Sequence, residues 1–379
     1  MLMLPLSIMY MMMPISYVDN SSVATTVPLK IEITTQNPGV VTLTKAPLKY
    51  DKKHVLTMEN DDALNDPYKT FLPLFTGGIP EHDNVSSTGM YITDGCGNDV
   101  SYKSNAAVWV KNPETNVDWF SWSDGTHWLN YDQLNSLMEN KFGLVDHGYY
   151  TDMSHANADP VQAVENFVTW SESHYGFRPL YAVAPGGIVF NQVAWTNKWF
   201  SKGLRFIVLG SGSNPAMTRV DNLDVTKFTE PLQVGRNNVE GMTAESIMAY
   251  VNTMIASSGN QWLRLFGHNV NVADFIKYSD IKAFFTQLST TYGKSGSDNI
   301  WVADINDVIS YLYCRDGTAL NTLTVNNKNI VQVEYSSVPT YVKKRSLTLK
   351  INTTETITKI KVTGATRYTY TNNLINIEW

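Results

Sequence analysis

Cysteine is nearly absent from this 379-residue chain: only Cys96 and Cys314 occur. Neither has metal-ligand spacing, and two thiols so far apart read more simply as separate buried or free groups than as a disulfide. Charge is sparse as well. Charged residues make up 17% of the chain, acids and bases are mixed along it, and the net charge is −6. No basic block points to nucleic acid, and no acidic tail points to disorder. Fixed-period repeats and low-complexity tracts are also missing. Beyond the first 18 residues, no run is long and apolar enough to span a bilayer. Those residues, Met1 to Val18, carry no charged side chain and are rich in Met, Leu and Ile. They read as a signal peptide or short anchor, so an exported protein is expected: extracellular, periplasmic or cell-surface. A basic n-region, a small-x-small cleavage site and a lipobox cysteine are all missing from this segment. A mis-set start codon or an apolar N-terminal strand are the alternatives.

Apolar and aromatic side chains are plentiful. Hydrophobic residues reach 43%, enough for a sizeable core, and there are 10 Trp and 20 Tyr. Many belong in that core. A surplus also suits a sugar-binding cleft, where flat rings stack on the apolar faces of pyranosides.

Residues 19–50 read as a polar lead-in with short alternating strands, at 29–33 and 41–43. Residues 51–316 then alternate strand and helix. Strand signals fall at 54–58, 107–110, 142–147, 181–184, 206–209, 262–266 and 300–302. Helix signals lie between them, such as 131–141, the segment from Asp159-Pro160 to Gly176, and 243–257. About seven strands separated by helices imply an α/β fold with a parallel sheet. A distorted seven-stranded (β/α) barrel fits the length, and an open doubly wound sheet is the alternative. An irregular insertion at 64–130, rich in Gly, Asn, Asp and Trp, follows the first strand. Past Gly317 the helical period disappears, and 317–379 reads as a small C-terminal all-β module, near the lower size limit for folding alone.

Chemistry-bearing residues gather where strands end, as they do at the mouth of an α/β barrel. The first strand ends at Asp61-Asp62 and the third at Asp146-His147, with His155 eight residues on. The fourth ends at Pro185-Gly186-Gly187 and the sixth at His268. Taken singly, an Asp-Asp pair is usually a turn or cap, and a histidine is usually a surface or core group.

In this order the motifs resemble those of the polysaccharide deacetylases, the NodB-homology domain of carbohydrate esterase family four. The resemblance covers roughly residues 51–316. It rests on Thr57-Met58-Glu59-Asn60-Asp61-Asp62-Ala63, Val145-Asp146-His147-Gly148, Val183-Ala184-Pro185-Gly186-Gly187 and Leu263-Arg264-Leu265-Phe266-Gly267-His268. The resemblance implies Asp61 as catalytic base and His268 as general acid. It implies Asp62 and His147 as ligands of a divalent metal, Zn²⁺ with Co²⁺ or Ni²⁺ as alternatives. The family's second metal histidine would fall at position 151, where this chain has Thr151, so His155 is the substitute. The family's arginine beside the Pro-Gly segment is absent locally, which leaves Arg178 and Arg236 as candidates for orienting the base. A backbone N–H near Gly186 or Gly187 would face the oxyanion. Trp109, Trp119 and Trp122 form a cleft wall for sugar stacking or, equally, a small core of the insertion. Glu59 either flanks the metal or makes a salt bridge.

The expected activity is metal-dependent removal of N- or O-acetyl groups from a polysaccharide or oligosaccharide. A catalytically degenerate carbohydrate-binding protein on the same fold is the first alternative. A glycosidase, pairing the aspartates with Glu240 or Asp304, is the second.

Overall fold

The computed structural model describes residues 28–112, 114–154, 159–209, 215–272 and 275–379. Met1–Val18 and His155 lie outside the described residues. No helix among the described residues is long and apolar enough to cross a membrane.

The strand His54–Asn60 organises the molecule. All seven of its residues are buried, the pattern of a strand covered on both faces. It pairs in parallel with Gln261–Gly267 on one side and with Ile300–Val302 and the start of Asn105–Val108 on the other. The path continues in parallel through Gly143–Asp146, Tyr181–Val183, Phe206–Val208 and Leu232–Gln233. At the far side, Met217–Arg219 adds an antiparallel edge to Gln261–Gly267. With Asn237–Asn238 the sheet has ten strands, not seven. It is strongly curled. Trp262 and Phe206 sit five ladder steps apart, about 24 Å in a flat sheet, yet their ring centroids are 5.2 Å apart. No ladder among the described residues joins its two ends, so it is an open curled sheet rather than a closed barrel.

One further expectation changes. The region 64–130 is not a pure insertion, because Asn105–Val108 within it is a fully buried central strand. On the helices over the sheet, Ala163, Val164, Phe167 and Val168 and then Trp195 and Trp199 are buried, while Val161 (39% exposed) and Val193 (70% exposed) point outward. The helix ends follow local chemistry. Asn130 and Gln133 close a capping box on Tyr131–Glu139. Asp159 caps Pro160–Tyr175, which stops at Gly176 with φ 71°.

The β-module is built from both ends of the described chain. Lys30–Thr35, from the lead-in, lies between Lys328–Glu334 and Ile357–Thr363 in one four-stranded sheet. Thr42–Lys45 edges the second, beside Ser346–Asn352. Inward residues of both sheets, among them Ile31, Ile33, Val331, Leu347 and Ile377, form a separate core. The lead-in is therefore part of this module, and residues 317–379 are only part of it.

Candidate active site

Three parallel strands deliver the polar groups, two of them adjacent and the third one strand further on, beyond Asn105–Val108. The His54–Asn60 strand leads into Asp61 and Asp62, Gly143–Asp146 into His147, and Gln261–Gly267 into His268. Asp62 and Ala63 both have positive φ, 68° and 52°. This left-handed turn is costly for residues other than glycine, and it reverses the chain so that both carboxylates face the same region. It is pinned by the Ala63 N–H, which donates to the Ala107 carbonyl at 3.0 Å.

Asp62 lies between two imidazoles. His147 Nε2 is 3.3 Å from its Oδ1, and His268 Nε2 is 3.6 Å from its Oδ2. His147 Nδ1 contacts the Val183 carbonyl at 3.1 Å. A carbonyl only accepts, so Nδ1 carries a proton and Nε2 is the nitrogen turned towards the aspartates. Trp109 stacks on this ring, with centroids 5.9 Å apart and planes at 16°. Burial opposes a charge on His147, but Asp61 and Asp62 outweigh it and raise its pKa.

Asp61 is almost fully buried. Arg236 grips it with two hydrogen bonds of 2.8 Å, from Nη1 and Nη2, and reaches Glu59 Oε2 at 3.0 Å with the same Nη1. One guanidinium thus serves two buried carboxylates. Burial would push Asp61 up, but Arg236, and then His147, hold it down at about 2. Glu59 goes the other way. Burial, against the pull of Arg236 and with the push of Asp61, lifts it to about 7. Of the two candidate arginines, Arg236 is the one that reaches Asp61. Arg178 bonds Glu172 and the Lys202 carbonyl instead.

His268 is partly exposed and has its own carboxylate. Its Nδ1 is 2.5 Å from Glu240 Oε1, and its backbone N–H donates to the same oxygen at 2.9 Å. The Glu240–His268 contact is missing from the sequence reading, since it depends on how two loops meet. Asp304 is not at this site: it caps the helix Ile305–Gly317 and pairs with Lys344.

Pro185–Gly187 forms a tight turn beyond Tyr181–Val183. The Gly187 N–H already donates to the Ala184 carbonyl at 2.9 Å, which removes it as an oxyanion donor. The tryptophans line up outward from His147. Trp119 meets Trp109 edge-on at 6.0 Å and Trp122 at 5.3 Å, and Trp122 is 60% exposed. The inner two pack against the core while the outermost presents an exposed face.

The donor chemistry suits a divalent ion in part. Asp62 and the Nε2 of His147 form a carboxylate–imidazole pair held by an outer carbonyl, as metal ligands usually are. Among the described residues, however, no three His, Cys, Asp or Glu side chains are grouped to hold one ion.

No family model and no curated protein matches the chain. Solved structures do match. One is a Mycobacterium smegmatis protein assigned as a polysaccharide deacetylase, with 13% identity and a TM-score of 0.40; the match covers 73% of this chain and 93% of that one. Another is the peptidoglycan deacetylase PdaC of Bacillus subtilis, with 10% identity and a TM-score of 0.34, covering 69% and 91%. A third is Puue allantoinase, with 8% identity and a TM-score of 0.40, covering 68% and 89%.

Proposed function

We propose that the chain is an exported hydrolase that removes acetyl groups from a polysaccharide or oligosaccharide. The observation that carries this reading is the division of labour around Asp62. A buried ionised aspartate locked by an arginine stands on one side, and a carboxylate-backed histidine open to solvent on the other.

Asp62 and His147 would hold a divalent ion, Zn²⁺ by the nature of the donors, with His155 as a further ligand. Such an ion would lower the pKa of a water molecule and polarise the acetyl carbonyl. The chain supplies the proton transfers. Asp61, kept as a carboxylate by Arg236, takes a proton from the attacking water. His268, in its imidazolium form, donates one from Nε2 to the departing amine or alcohol, while Glu240 supports the charge from Nδ1. Water adds to the carbonyl carbon, the bond to the sugar nitrogen or oxygen breaks, and acetate and the deacetylated glycan leave. Trp122 gives the sugar a ring to stack on.

Thr151 and the incomplete ligand group favour a second reading, a carbohydrate-binding protein that has lost the chemistry. Metal analysis and acetate release from an acetylated chito-oligosaccharide separate the two. The hydrolase should bind about one ion per chain and release acetate, and Asp62→Ala and His147→Ala should lose both. A protein that binds the sugar without metal or acetate release supports the second reading. New reducing ends without acetate would indicate a glycosidase.

A further inference from the structure

A cavity of about 440 Å³ lies at the other end of the sheet from Asp62, between the strand beginnings and the β-module. Lys103 and Lys141 line it just ahead of the strands Asn105–Val108 and Gly143–Asp146, whereas His147 follows the far end of the latter. Lys343 and Arg367 line it from the module.

The charges in this cavity are unevenly satisfied. Its five carboxylates are already engaged: Asp307 by Lys49 at 3.0 Å, Glu378 by Lys49 at 3.7 Å, Asp99 by Lys294 at 2.7 Å, Asp304 by Lys344 and the Asn306 N–H, and Asp94 by the backbone N–H groups of Cys96 and Asn98 and the side chains of Asn98 and Thr369. No carboxylate among the described residues pairs with Lys103, Lys141, Lys343 or Arg367. The half-buried Lys103 ammonium has only the Ser101 hydroxyl, at 2.8 Å, and the Phe142 ring, at 5.2 Å. Burial first, and then Lys141, depress its pKa to about 8, with Asp304 acting against them. A protein seldom gathers unpaired amines in a concave site unless an anion can neutralise them. At the rim, Tyr368 is 38% exposed and lies parallel to Tyr370, with centroids 6.2 Å apart. The exposed Tyr368 ring beside a positive pocket matches the apolar face and the charged edge of an acidic pyranose. The volume suits one or two sugar units.

We propose that this cavity binds the carboxylate of a uronic acid residue in a glycan, with Lys103, Lys141 and Lys343 as its counter-charges. The site is independent of the chemistry at the opposite end of the sheet.

Calorimetric titration of the full chain at low salt tests this with three probes: tetragalacturonate, its methyl ester and inorganic phosphate. None carries an N-acetyl group that would draw it to the other site. Tetragalacturonate should bind, and its neutral ester should not. Lys103→Met, and separately the exposed pair Lys141→Ala with Lys343→Ala, should each weaken binding about tenfold or more, as loss of a charge-assisted contact does. Thermal melts would confirm that each variant is folded. His147→Ala should bind as tightly as the parent, so failure of the proposed hydrolase and failure of this site are distinguishable. Equal binding of the methyl ester, undiminished binding by both lysine variants, no binding of tetragalacturonate, or binding of phosphate alone would each overturn the proposal.

Discussion

Arg236 holds two carboxylates that the fold has removed from water, and its own removal should be costly. Glu59 is fully buried and Asp61 nearly so. Deleting one partner of a buried ion pair leaves an uncompensated charge, at about 3–5 kcal/mol. Arg236→Met should therefore lose about that much stability at pH 7, while Arg236→Lys, which keeps charge but not the two-pronged grip, should lose less. The pH dependence has a definite sign. The depressed pKa of Asp61 contributes stability above its unfolded value near 3.8, and this is lost as pH falls through about 2. Glu59 has the opposite sign, favourable below its unfolded value near 4.5 and lost as pH rises through about 7. In Arg236→Met both buried carboxylates become easier to protonate, so the deficit against the parent should shrink as pH falls from 7 towards 3. Urea denaturation across that range measures it, and a deficit that grows in acid would contradict this account. Asp61, Asp62, His147 and His268 were legible in the sequence because each directly follows a strand, which is a local signal. The choice of Arg236 over Arg178 was not legible. Arg178 lies close in sequence to the glutamate it pairs with, Glu172, whereas Arg236 reaches Asp61 only through the folded sheet.

Among elements, Asn105 shows why strand boundaries were harder to read than strands. Asparagine is a poor strand former, and the apolar run suggests a strand at 107–110, but the ladder runs Asn105–Val108. The side chain explains the shift. Its Nδ2 donates to the Met58 carbonyl at 2.9 Å, and its Oδ1 accepts from the Ile305 N–H at 2.8 Å. One residue thus ties the central strand to the first turn of the helix Ile305–Gly317. Gly143 stands against it: a Cβ there would lie 1.8 Å from Asn105 Oδ1. Asn105→Ala strands a buried donor and a buried acceptor, each worth about 1–3 kcal/mol. Asn105→Ala and Gly143→Ala should both lower the melting temperature. Because they disturb the same contact, the double variant should lose clearly less than the sum of the two singles. Additive losses in calorimetry would separate the two sites. The helices tell a similar story. Their caps were readable from Asp159-Pro160 and Gly176, but which face was buried depended on the sheet beneath, hence the exposed Val161 and Val193.

At the scale of the molecule, the β-module has its middle strand supplied from the other side of the α/β body. Lys30–Thr35 pairs on both edges with strands more than 290 residues away. No periodicity in 317–379 could reveal this, since alternation shows which face is buried and not which strand is neighbour. A fragment of residues 318–379 should therefore stay unfolded. It would lack Ile31 and Ile33, both fully buried, and would leave Val331 and Ile360 without their cover. The geometry also indicates how to complete it. Lys45 Nζ lies 2.8 Å from the Thr318 carbonyl, so the chain enters and leaves the α/β body at nearly the same point. A few residues, at about 3.3 Å each, should suffice to join 47 to 318. The resulting chain of about 80 residues holds both sheets and their shared core, a size at which a domain can fold alone. It should show strand-type circular dichroism and one cooperative thermal transition, both absent from the 318–379 fragment. If the joined chain is also unfolded, the module depends on the body it packs against. Tyr335 and Trp379, which touch both cores, would then be the contacts that carry that dependence.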